Sequence, residues 1–128
     1  MEYYFSKTLR QPFETVVEKV TEALKKEQFG VLTQIDVRET LKKKIDVDFK
    51  PYLILGACNP QYAYKALSAE DKIGTMLPCN VIVQQADPDT VEVAAINPIA
   101  SMQAVANASL QGIAQEVTEK LKRVVNSL

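Results

Sequence analysis

Histidine and tryptophan are absent from this 128-residue chain, and cysteine occurs only twice. Without histidine, neither Ser-His-Asp nor Cys-His catalysis nor a Cys-His zinc site can be assembled from the chain alone. Two thiolates are too few for a closed zinc site, so no metal site is expected within one chain. Carboxylate, solvent or a second subunit would have to complete the shell, and a four-cysteine site shared across a dimer is one such arrangement. Glycine is equally sparse: Gly30, Gly56, Gly74 and Gly112 are scattered, and no Gly-x-Gly-x-x-Gly or Gly-Lys-Ser/Thr run exists to cradle a phosphate. Cys58 and Cys79 are far from the Cys-x-x-Cys spacing of dithiol redox motifs.

Charge of one sign is also lacking. A formal net charge of -1 gives no global drive toward nucleic acid or an anionic membrane, and neither is an expected partner. The basic run Lys42-Lys43-Lys44, with Lys50 beyond it, is interleaved with Glu39, Asp46 and Asp48 and has the pattern of a solvated helix face. No apolar stretch is long enough to span a bilayer, and Met1 to Lys7 has neither the basic start nor the apolar run of a signal peptide. Two cysteines in such a chain point to free thiols in a reducing compartment, and the cytoplasm is the expected location.

What is present is an ordinary globular composition, 47% hydrophobic and 24% charged, in one domain's length (1–128). Such a chain buries roughly two-thirds of its unfolded surface, enough for a core without staples. No internal repeat or low-complexity linker divides it.

The pattern predicts an opening strand over Glu2 to Leu9, with Tyr3, Phe5 and Leu9 on one side and Lys7 interrupting them. Pro12 at a first helical position, followed by Phe13, Val16, Val17, Val20 and Leu24, predicts an amphipathic helix that Gly30 stops. A second strand covers Val31 to Ile35, and Asp36 with Glu39 caps a short helix whose inner face is Val37, Leu41 and Ile45. Tyr52 to Cys58 is a nearly continuous apolar run, expected in the sheet centre or covered on both faces.

Asn59-Pro60 and Asn97-Pro98 each place a capping side chain before a residue that favours the first helical turn. The first opens a helix through Ala63, Ala66 and Leu67. The second opens a segment through Met102 and Val105 that breaks near Asn107, after which Leu110, Ile113, Val117, Leu121 and Val124 form a closing helix. Between them, Cys79 to Ala86 and Val91 to Ile96 form a hairpin around Asp87-Pro88-Asp89-Thr90. The expected fold is α+β: an antiparallel or mixed, curved sheet of five to six strands with helices mainly on one face.

If the strands around Cys58 and Cys79 are antiparallel neighbours, chain direction brings both cysteines to one edge of the sheet, and the arm ending at Ile96 returns there. Cys58, Asn59, Cys79, Asn80 and Asn97 then form the candidate ligand-binding site, beside two helix N-termini that favour an anion or a thiolate. The bland alternative is that the cysteines are core residues and the asparagines plain caps. Glu70, Asp71 and Glu92 are candidates for acid–base work but have the positions of solvated surface acids, and Tyr62 and Tyr64 could line a pocket but fit helix–sheet packing better.

Leu55-Gly56-Ala57-Cys58-Asn59-Pro60, then Leu77-Pro78-Cys79-Asn80-Val81 and Asn97-Pro98, resemble the bacterial and archaeal family known as domain of unknown function 302. The resemblance covers nearly the whole chain, and Val31 to Asp36 is similar to the family's second strand. It implies a fold similar to TATA-box-binding-protein-like domains and a homodimer. It implies no reaction, cofactor or catalytic residue. Asn97 departs from the family pattern, in which Asp often precedes that proline.

Three functional classes stay open: a domain binding a small anionic or metal-associated ligand at the cysteine edge, a thiol-based redox enzyme or sensor, and a structural homodimer with core cysteines. A binding domain leads, and a non-enzymatic role is favoured over an enzymatic one.

Overall fold

A computed structural model describes residues 1–128. The chain forms one antiparallel sheet of five strands, β1 (Tyr4–Leu9), β2 (Gly30–Asp36), β3 (Tyr52–Cys58), β4 (Cys79–Asp87) and β5 (Thr90–Ile96), in the spatial order β1-β5-β4-β3-β2. Five helices, α1 (Phe13–Lys26), α2 (Val37–Ile45), α3 (Pro60–Ala69), α4 (Pro98–Ser101) and α5 (Ala108–Asn126), and a 3₁₀ turn at Asp71–Met76 join them. No helix is long and apolar enough to cross a membrane.

Period-two alternation sets the layers. Leu53, Leu55 and Ala57 of β3, Val81 and Val83 of β4, and Val91, Val93 and Ala95 of β5 are buried in one cluster with Val16, Val20 and Leu24 of α1 and Leu121, Val124 and Val125 of α5. The opposite face carries Tyr52, Ile54, Ile82, Gln84, Glu92 and Ala94, all only partly covered. Thus β3 lies inside the sheet but is second from its edge, and one of its faces is open. The centre belongs to β4.

The helix ends follow local chemistry. α1 is stopped by Gln28 at φ 70, not by Gly30, which begins β2. The Phe29 N–H donates to the Leu24 carbonyl and the Gln28 N–H to the Lys25 carbonyl, a Schellman closure that buries Phe29. At α2 the Asp36 carboxylate accepts from the Glu39 N–H at 3.0 Å, as the capping pattern predicts. Yet no residue of α2 is buried, and Ile45 is 63% exposed. Of the expected inner face, Val37 and Leu41 are half-buried where α2 meets edge strand β2 and the end of β3, while Ile45 lies beyond them in the open.

Tyr3 departs as well, lying ahead of β1, exposed, with its ring edge against Tyr4. Lys7, the polar interruption in β1, sends its Nζ to the carbonyl oxygens of Asn126 and Leu128 at the end of α5, where a cation suits the free carbonyls. The β4–β5 turn is held by Asp87, whose carboxylate accepts from the N–H groups of Asp89 and Thr90 at 2.9 Å each. The Asp89 N–H in particular holds the Asp87 carboxyl below its ordinary pKa.

Candidate functional site

The antiparallel pairing of β3 with β4 puts Ala57 opposite Cys79, so the two cysteines are one residue out of step at the same end of neighbouring strands. Both thiols are free and half-buried. β5 returns to this end, with its Ala95 opposite Val81 of β4.

Beside the cysteines lies a cavity of about 320 Å³ between the sheet end, α3, the 3₁₀ turn, α4 and α5. Cys58, Asn59 and Cys79 line it together with Tyr62, Met102 and Ile113. Fourteen of its 18 lining residues are hydrophobic, and none is Asp, Glu, Lys or Arg. The hollow exists because small side chains stand where large ones would fill it: Ala57, Ala63, Ala66, Gly74 and Ala114 all face it.

The predicted site residues do not all converge there. Asn80 is exposed on β4 and belongs to the open face with Ile82 and Gln84, because adjacent residues of a strand point to opposite sides. Asn97 is buried as a structural cap: its Oδ1 accepts from the Ile99 N–H at 3.1 Å and its Nδ2 donates to the Glu2 carbonyl at 3.1 Å. Its neighbour Pro98 lines the cavity in its place. Asn59 stands at the N-cap position of α3 but does not cap it; its Nδ2 donates to the Glu27 carbonyl at 3.4 Å.

No side chain caps the start of α3, and the Glu27 carboxylate behind Asn59 is held by cations. Glu27 accepts from Arg123 Nε and Nη2 at 3.1 and 2.9 Å, and Lys120 stands 3.8 Å away. The Arg123 hydrogen bonds hold the Glu27 carboxyl below its ordinary pKa. Lys120 also lies 6.0 Å from the centre of the Tyr62 ring, and Lys65 lies 5.3 Å from it. Tyr62 thus forms cavity wall, whereas Tyr64 is 74% exposed and packs nothing.

Burial pushes the Cys79 thiol up to about 11, with the nearby Cys58 adding to the shift. Cys79 is accordingly a neutral thiol at physiological pH, a poor nucleophile and a poor anion. No group of three or more Cys, Asp or Glu side chains converges to hold a metal ion. The surface acids have local partners: Glu92 accepts from Gln84 Nε2 at 2.7 Å, and Glu70 accepts from Asn107 Nδ2 at 3.2 Å.

Sequence reasoning missed most of the cavity wall, including Gly74, Met102 and Ala114, which come from three separate segments. It also missed why Gly56 precedes Ala57-Cys58. A Cβ there would stand 2.1 Å from Thr33 Oγ1 and 2.8 Å from Pro78 Cγ, so only glycine admits β2 and the segment before β4 this closely. The Gly-Ala-Cys-Asn-Pro motif therefore combines a close-approach position, a core alanine and a cavity thiol.

Among curated proteins, no relative matches the chain. The crystal structure of an uncharacterized conserved protein of family DUF302 from Bacillus stearothermophilus superposes with a TM-score of 0.90 at 29% sequence identity, covering 98% of each chain. The family model for the domain of unknown function DUF302 matches residues 5–128. With both cysteine motifs inside that span, the chain belongs to the DUF302 family.

Proposed function

We propose that this domain binds a small molecule in the cavity at the Cys58/Cys79 end of the sheet and is not itself an enzyme. One observation carries this: two cysteines from separate strands line the same hollow, together with residues of five further elements. Concave, mostly apolar pockets of roughly 300–1,000 Å³ are where small ligands bind. Cys58, Asn59 and Cys79 are the site residues under this reading; Asn97 supports it from behind through Pro98, and Asn80 stands outside it. The free thiols fit a reducing compartment such as the cytoplasm.

The thiol redox alternative has less support, because the raised pKa of Cys79 leaves little thiolate to start an exchange. A metal-associated ligand lacks a third anionic donor, and an anion lacks a cationic partner in the cavity wall. The test of the binding reading is an NMR screen of amide shifts with a mixture of neutral, cationic and anionic fragments. Shifts concentrated on Cys58, Ala63, Gly74, Cys79 and Ala114 are the expected result. A screen in which no fragment moves those amides removes the reading.

A second reading, assembly as a homodimer, draws on the β2 edge. Leu32 and Ile35 of β2 are 68% and 48% exposed, and Ile45, Val47 and Phe49 beyond it are exposed too. Edge strand β1 has Lys7 and the end of α5 beside it, whereas the only charge on β2 is Asp36 at its end. An open, uncharged edge of this kind suits pairing with a second copy. Sedimentation equilibrium checks it: Leu32→Lys with Ile35→Lys converts a dimer to a monomer, and a monomeric parent chain at micromolar concentration contradicts it.

A further inference from the structure

The cavity has one chemical property that decides what it can hold. Its wall has no Asp, Glu, Lys or Arg, and its polar side chains are few. The Asn59 amide is turned to the Glu27 carbonyl, and Cys79 is held as a neutral thiol by its burial. Of the cations around Tyr62, Lys120 is paired with Glu27, and Lys65 lies over the Tyr62 ring without being one of the cavity's lining residues. An anion entering this space would lose its hydration without gaining a counter-charge, which costs several kcal/mol in real proteins. A hydrocarbon surface loses nothing by entering, and Leu67, Leu77, Met102 and Ile113 offer it close contacts beside the polarizable sulfurs.

We infer that the ligand of this site is an uncharged, predominantly hydrocarbon small molecule, held by apolar burial and sulfur contacts rather than by charge. This rests on the cavity being the binding site. It replaces the anionic ligand that the cysteine motifs and helix starts suggest when taken from the sequence alone. The small side chains on α3, α5 and the 3₁₀ turn then have a single explanation: they keep open a volume that a leucine or phenylalanine would fill.

Gly74 supplies the test. Its backbone is not in the left-handed region, and a Cβ built on it meets only Leu67 Cδ2, at an ordinary 3.6 Å. Gly74→Leu therefore fills the cavity without backbone strain, and Ala63→Leu on α3 does so from a second position of the wall should the first variant fold poorly. The probes are 1-octanol, octanoate and inorganic phosphate, compared at equal concentration by thermal melting and by amide shifts at Ala63, Gly74 and Cys79.

Octanol is expected to raise the melting temperature of the parent chain and to bind at least about tenfold more tightly than octanoate, with phosphate inert. Both filled variants are expected to lose the octanol effect while melting no lower than the parent. Octanoate or phosphate binding in the cavity as tightly as octanol overturns the uncharged class and leaves the site standing. Octanol binding that survives both filled variants places it elsewhere and overturns the inference. If none of the three probes binds, the hydrocarbon class falls. Only a silent fragment screen as well would bring down the site.

Discussion

Beneath α1 and the C-terminal half of α5 the sheet is packed by a cluster of 17 buried residues, whereas beneath α3 and the N-terminal half of α5 only Ala66, Ile73 and Leu110 form a buried group. The same helix serves both regions. Along α5 the inward positions run Leu110, Ala114, Val117, Leu121 and Val124, an unbroken helical period. What changes is size. Where the period carries leucine and valine the layer is filled, and where it carries Ala114 opposite Ala63 and Ala66 a cavity remains. Apolar periodicity thus sets which side of a helix faces inward, and side-chain volume sets whether that side leaves room for a ligand.

The sharpest way to break the comparison is to make a hole on the filled side. Leu121 is fully buried in the large cluster, and Leu121→Ala is expected to cost about 3 kcal/mol in urea unfolding, since the surrounding strands cannot collapse into the space. A cost below about 1 kcal/mol would mean that this side is as loosely packed as the cavity side.

Cys79 tests the boundary, since it packs against the large cluster and also lines the cavity. Its thiol ionises near 11 in the folded chain against an ordinary value of 9.0. Over that interval the native state holds a proton that the unfolded state has released, so the stability present below pH 9.0 is lost as pH rises toward 11. The loss is on the order of 2 kcal/mol and is absent in Cys79→Ala, so the difference between the two stability–pH curves isolates it. Parallel curves would show a thiol exposed to water in the native state. Iodoacetamide labelling checks the same thing: Cys79 in the folded protein should react far more slowly than in urea at neutral pH.

The smallest expected effect lies at Thr118, also on α5. It is 1% exposed, and its hydroxyl has no hydrogen-bond partner. Thr118→Val keeps the branched shape and removes the unpaired group, so stability should rise by about 1 kcal/mol. A loss on substitution would show that the hydroxyl is satisfied by water.

Much of the fold is legible along the chain. β3 runs over Tyr52–Cys58 as its apolar run predicts, the hairpin turns at Asp87, the break in the closing helix falls at Asn107, and the Asp36 cap is in place. These are local matters, set by residues within four positions of one another. The departures share a cause. Gly30 is the residue type expected to stop α1, but Gln28 takes the left-handed position because Phe29 is drawn into the core beside Leu24. The stripe of α2 is covered only in part, at Val37 and Leu41, since nothing in a helix says how far another layer extends across from it. Of the candidate site, Cys58, Asn59 and Cys79 meet at the cavity, whereas Asn80, adjacent to Cys79 in sequence, is sent by the strand to the opposite face.

By itself, then, the sequence determined an α+β architecture with an antiparallel or mixed sheet, and it brought Cys58 and Cys79 together only if their strands are antiparallel neighbours, which the β3–β4 pairing supplies. It also removed histidine-based catalysis and phosphate loops by their absence. Only the tertiary structure decided the character of the place where the thiols meet. Charge partners, burial and volume are properties of side chains brought together from distant segments, and here they assemble a largely apolar hollow without an Asp, Glu, Lys or Arg in its wall.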